Sequence, residues 1–99
     1  MMTLEKDIER TLINMVKLHG GLCLKWVCPG WLGVPDRICL LPGGRIFFVE
    51  TKRPRGGSHG AMQKKWAKWL TDLGFAHRWV YTRDDIKALE SVIVGRWFE

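Results

Sequence analysis

Apolar residues recur at helical spacing from about Leu4 to Leu18, at Leu4, Ile8, Leu12, Met15 and Val16, so an amphipathic helix opens the chain. Thr3 is placed to cap its start, and His19-Gly20-Gly21 ends it, glycine suiting the left-handed position that follows a helix. Leu22 to Val27 predicts a short strand, and Cys28-Pro29-Gly30-Trp31-Leu32-Gly33 a loop full of breakers. From about Arg37 to Lys52, two β-branched and aromatic runs flank Pro42-Gly43-Gly44, the pattern of a β-hairpin. Side chains on its second strand alternate, with Ile46, Phe48, Glu50 and Lys52 on one face and Arg45, Phe47, Val49 and Thr51 on the other. After a Pro- and Gly-rich loop, a second helix from about Gly60 to Leu73 presents Met62, Trp66, Trp69, Leu70 and Leu73 inward, the tryptophans read as core rather than as platforms for stacked bases. His77 to Thr82 is a strand, and Asp84-Asp85 begins a third helix with Ile86, Leu89, Val92 and Ile93 on one face, capped by Thr82 or Asp84. The order α-β-β-β-α-β-α predicts an α+β (α/β) domain, a mixed central sheet flanked by helices.

Ninety-nine residues, 46% of them hydrophobic and six of them tryptophan, are enough for one packed core and too few for two, so residues 1–99 are expected to form a single domain. The chain has no apolar run of membrane-spanning length, and its polar start lacks a signal-peptide core, so a cytoplasmic protein without membrane association is expected. Cys23, Cys28 and Cys39 are an odd number with no C-x-x-C pair, which argues against a disulfide framework and against zinc; they are read as buried or free thiols. The apolar end, from Val92 to Trp97-Phe98, either covers the sheet or belongs to a subunit interface.

Candidate chemistry collects on the hairpin. Asp36 opens its first strand just after a proline, and Glu50 and Lys52 close its second, so the pairing brings all three to one end. Two carboxylates and a lysine at that spacing offer hard oxygen ligands for a divalent cation with an ammonium beside them. Charge is distributed to match: the protein carries a net +6, and residues 50–69 hold six cations, Lys52, Arg53, Arg55, Lys64, Lys65 and Lys68, against Glu50 alone. A polyanion approaching carboxylates needs such a counterfield, and Arg37, beside Asp36, is a further candidate for phosphate contact. His59, in the basic loop, is read as a phosphate or solvent contact ahead of a general base. Trp31 and Leu32 are candidates for contact with DNA sugars or a partner subunit, or fold back onto the core.

Pro35-Asp36, followed after thirteen residues by Glu50-Thr51-Lys52, resembles the PD-(D/E)XK nucleases, and Gly33-Val34-Pro35-Asp36-Arg37 with Glu50-Thr51-Lys52 resembles their VRR-NUC branch, in particular its small standalone phage and bacterial members. The resemblance covers most of the chain. It implies a restriction-endonuclease-like core and a metal-dependent DNA endonuclease in which Asp36, Glu50 and the Thr51 carbonyl hold Mg²⁺ or Mn²⁺ and Lys52 orients or deprotonates water or stabilises the transition state. It also implies a catalytic glutamate on the first helix, in the E-x-x-I pattern that Glu5-Lys6-Asp7-Ile8 matches, with Glu9 the second choice, and a glutamine on the second helix at Gln63. Similar standalone proteins are homodimers that cut branched DNA such as four-way (Holliday) junctions, so junction DNA and a second copy of the chain are the implied partners, with no nucleotide cofactor. The alternative is a non-catalytic nucleic-acid-binding module on the same fold. A pure binder gains nothing from two carboxylates aimed at phosphate, because like charges repel unless a cation lies between them.

Overall fold

The computed structural model describes residues 5–52 and 60–95. Its middle strand, β3 (Arg45–Thr51), follows from a sequence that is apolar on both faces, because Phe47, Phe48 and Val49 in succession are all buried only where the strand is covered from both sides. β2 (Arg37–Leu41) pairs with β3 antiparallel across Pro42-Gly43-Gly44, where Gly43 and Gly44 take φ of +82° and +74°, a conformation other residues rarely adopt. β1 (Leu22–Lys25) adds antiparallel to β2, and β4 (Ala76–Val80) lies parallel to β3 on its other side. The sheet is therefore mixed, in the order β1-β2-β3-β4, and the parallel step is made by a helical crossover, α2 (Ala61–Asp72). With α1 (Glu5–Leu18) and α3 (Arg83–Gly95), the element order is the α-β-β-β-α-β-α arrangement read from the sequence.

α1 and α3 pack on one face of the sheet. Ile8, Leu12, Met15 and Val16 of α1 meet Phe47 and Val49 of β3 and Ile86, Leu89 and Ile93 of α3 in one buried cluster. Among the described residues, the stripe predicted for α1 and for α3 is thus the one each buries, Val92 being only partly covered. Two polar ties cross this layer: His19 Nε2 lies 2.7 Å from Glu90 Oε2, and Arg45 Nη1 donates to the Ile93 carbonyl at 2.8 Å, a favourable place for a cation near a helix C-terminus.

The second face departs from expectation. α2 lies against β4, and of the five residues predicted to point inward only Leu70 is fully buried; Trp69 is 42% exposed and Leu73 73% exposed. Helical periodicity says which residues share a face, but one short helix over the β4 side of the sheet cannot bury them all. The indoles stack on one another instead, Trp66 lying edge-on to Trp26, Trp31 and Trp69 at 5.8, 5.7 and 5.3 Å. Gly33 anchors the preceding loop here: its φ is +80°, and a Cβ would come within 2.5 Å of the Met62 Cβ.

Boundaries shift slightly from the sequence reading, β1 ending at Lys25 and β4 running from Ala76 to Val80. The thiols are free, and Cys23 and Cys39 sit side by side with their sulfurs 3.7 Å apart. Among the described residues, no helix is long and apolar enough to cross a membrane. Thr3, Leu4, Arg53, Arg55, His59, Trp97 and Phe98 lie outside the described residues.

Candidate metal centre

The site forms where the C-terminal end of β3 meets the first turns of α1. Arg37 is the partner of Val49, so Asp36, one position back, faces Glu50, one position on. Asp36 is held by the strand opposite: its Oδ2 accepts the Thr51 N–H at 3.1 Å and lies 3.1 Å from the Thr51 hydroxyl oxygen. That hydroxyl is also 3.2 Å from Glu9 Oε1, so a single proton serves two carboxylates. Glu5, one helical turn before Glu9, completes the group: carboxylate oxygens of Glu5, Glu9 and Asp36 lie within 4.8 Å of one another. Acids in a first helical turn are favoured by the helix dipole, but that effect does not require them to converge on Asp36.

Glu50 faces Asp36 and is the most buried acid among the described residues, at 1% exposure. Its Oε1 accepts a hydrogen bond from Gln63 Nε2 at 3.1 Å, whereas its Oε2 is buried with no hydrogen-bond partner among the described residues. Burial, then the facing Asp36 carboxylate and the charge of Glu5, push the Glu50 pKa up to about 8, against an opposing pull from Lys52. Gln63 is fixed at both ends, because its Oε1 accepts the Gly60 N–H at 3.0 Å at the start of α2. Its amide orientation follows from these two partners.

The structure brings Glu5, Asp36, Glu50, Lys52 and Gln63 to one place, and Glu9 with them. Thr51 contributes its N–H and hydroxyl to Asp36, and the Lys52 N–H extends the parallel pairing by bonding to the Val80 carbonyl at 2.8 Å. Arg37 is engaged within the protein, Nη2 to Glu9 Oε2 at 3.3 Å. On α2, Lys64 and Lys65 are exposed, and Lys68 pairs with Asp72 at 2.8 Å. Two features escaped the sequence reading. The Glu9–Arg37 pair joins residues 28 apart and has no local signature. Lys25, at the end of β1, enters the neighbourhood only through its register against Arg37, which a hydrophobic pattern does not give.

No family model matches the chain. A curated phage protein described as "Putative nuclease p44", from Acyrthosiphon pisum secondary endosymbiont phage 1, is 50% identical over 50 residues, which is 50% of this chain and 54% of that protein; the match thus spans about half the length of this relative. A solved structure described as a VRR_NUC domain superposes with a TM-score of 0.81 at 25% identity, covering 86% of this chain and 91% of that one. The chain therefore has the fold of the VRR-NUC domains, and the resemblance to that family carried in its sequence by Asp36, Glu50 and Lys52 extends through its folded structure.

Proposed function

We propose that the protein, as a single 99-residue domain, is a metal-dependent nuclease that hydrolyses DNA phosphodiester bonds. The observation that carries this reading is the Glu50 Oε2 atom, buried without a hydrogen-bond partner among the described residues and within the fields of the Asp36 and Glu5 carboxylates. An arrangement of that kind is costly on its own and is relieved by a cation. Asp36 and Glu50, with the Thr51 carbonyl, are the proposed ligands of Mg²⁺ or Mn²⁺, both of which take oxygen donors. Glu5 completes the set, because Glu9 is already occupied by Arg37 and Thr51. A divalent cation held there acidifies water and offsets the charge that builds on the phosphate.

The chain's own groups do the rest. Gln63 keeps Glu50 aimed at the site, and Thr51 does the same for Asp36. Lys52 supplies the cation nearest the reacting phosphate, to orient or deprotonate water or to stabilise developing negative charge. Lys64 and Lys65, with Arg53, Arg55, Lys68 and Arg37, provide the field that draws a polyanion towards acidic ligands, and His59 adds a further phosphate contact. Lys52→Ala is expected to lower cleavage by about two to four orders of magnitude and to leave cation binding in place, because an ammonium is not a ligand. Calorimetry showing cation affinity lost together with Lys52 would assign the residue to holding the site instead.

The proposed substrate is branched DNA, with the four-way junction first, and the proposed assembly is a homodimer. Two active sites related by a two-fold axis match the two symmetry-related strands of a junction. Trp31 and Leu32, exposed on the loop that packs against α2, supply apolar surface of the kind buried in such interfaces. Junction and linear duplexes incubated side by side, with sedimentation of the same sample, test this: paired symmetric incisions and twice the 11.5 kDa chain mass are expected. Single uncoupled nicks by a species of one chain mass would return the substrate to flaps or plain duplex.

A further inference from the structure

Beside the acids, on the β1 side, lies a cavity of about 200 Å³ lined by Glu9, Lys25, Trp26, Val34, Asp36 and Arg37. Its two cations face each other across the sheet, for Lys25 is the register partner of Arg37. The next position along fixes how close they are: the Trp26 N–H bonds to the Asp36 carbonyl at 2.9 Å, which makes 26 and 36 a hydrogen-bonded pair and the adjacent 25 and 37 the non-hydrogen-bonded kind. In such a pair the Cα atoms are only about 4.5 Å apart and the side chains are drawn together. Like charges directly opposite one another weaken a sheet. Glu9 answers one of them, Arg37, at 3.3 Å. Lys25 is exposed and has neither an ion pair nor a hydrogen bond from its side chain among the described residues.

Resting on the nuclease reading, we propose that this cavity is a second phosphate subsite, in which Lys25, backed by Arg37, takes a backbone phosphate flanking the one presented to Glu5, Asp36 and Glu50. Glu9 is spent on Arg37, and Asp36, which also lines the cavity, belongs to the acid cluster with Glu5, so Lys25 is the charge left unmatched and a phosphodiester is the anion that meets it. That phosphodiester is carried by the same strand that delivers the neighbouring phosphate to the acids. The contact reads no base, so it positions the strand and fixes which bond is presented. A lysine kept on an edge strand only to discourage edge pairing would be indifferent to any particular phosphate.

The test is binding of a fluorescent four-way junction to the full chain without divalent cation, scanned with a single neutral methylphosphonate at each position around the branch. Lys25→Gln should weaken binding about tenfold and lower the slope of log affinity against log salt by about one unit, the signature of one lost phosphate contact. One methylphosphonate position should cost the wild type a similar factor and cost Lys25→Gln nothing further, and Lys25→Arg should restore both readouts. A wild type that binds in this way yet cuts no DNA with any cation would overturn the catalytic reading and leave the subsite standing. Identical methylphosphonate profiles for wild type and Lys25→Gln, or an unchanged salt slope, would overturn the subsite whether or not the protein cuts.

Discussion

Asp36→Asn is expected to abolish DNA cleavage, by at least about a thousandfold, while the protein stays folded. In the proposed reaction Asp36 is an anionic oxygen ligand, and an amide removes the charge while keeping the shape. Folding is spared because the Asn carbonyl can still accept the Thr51 N–H that Asp36 Oδ2 now accepts at 3.1 Å. Asp36→Ala removes that acceptor from Thr51, which is 1% exposed, and a buried donor left unsatisfied costs about 1–3 kcal/mol. The two variants should therefore be equally inactive and differ in melting temperature, with alanine the lower. Cleavage assays paired with thermal melts check both parts, and near-normal cutting by Asp36→Asn would sink the assignment of the site.

Glu50→Gln is expected to raise the stability of the cation-free protein at alkaline pH and to abolish cleavage. The folded-state pKa of Glu50 is pushed up to about 8 by burial and by Asp36, above its ordinary value of 4.5. The folded protein therefore holds a proton that the unfolded chain gives up. The contribution of this group to stability is fully present below the ordinary value, falls as pH rises towards about 8, and stays lost above it; at full ionisation the loss is on the order of a few kcal/mol. A glutamine carries no such loss and keeps the volume. A cation acts in the opposite sense, since it favours the ionised carboxylate. Adding Mn²⁺ should thus raise the wild-type melting temperature more at about pH 8.5 than at about pH 6, and do little for Glu50→Gln. A variant that melts below the wild type at alkaline pH without cation would show that Glu50 is not held in an unfavourable charged state.

What could be read from the sequence was local or periodic. The alternation on β3 put Phe47 and Val49 on one face and Phe48 and Glu50 on the other, and the structure agrees, with Phe47 and Val49 in the α1/α3 core, Phe48 against Trp26 and Phe75, and Glu50 against Gln63 of α2. The first-helix stripe was equally plain, because Ile8, Leu12, Met15 and Val16 are all buried. α2 was misjudged because burial depends on the width of sheet beneath a helix, which periodicity does not encode. The result is a partly open aromatic surface in which Trp66 and Trp69, expected as core, join Trp31 of the preceding loop.

The candidate site shows the same division. Asp36, Glu50 and Lys52 could be placed from strand geometry alone, since hairpin pairing and a two-residue period leave little choice. Choosing between Glu5 and Glu9 could not be done that way: residues four apart on one helix share a face, and only the angle at which α1 meets β3 shows both reaching Asp36. The structure separates them by their partners, Glu9 being tied to Arg37 and Thr51. Lys25 was illegible because its significance depends on a register between strands twelve residues apart.

The central claim is that these carboxylates would hold a divalent cation with which the protein hydrolyses DNA, and the most direct measurement is DNA incision by the wild-type chain with no divalent cation, with Mg²⁺ and with Mn²⁺, beside Asp36→Asn at the same concentration. The account predicts no incision without a cation, incision when either ion is added, reversal by chelator, and none from the variant under any condition. Incision that survives chelation, or a wild type inert with every divalent cation, would contradict it.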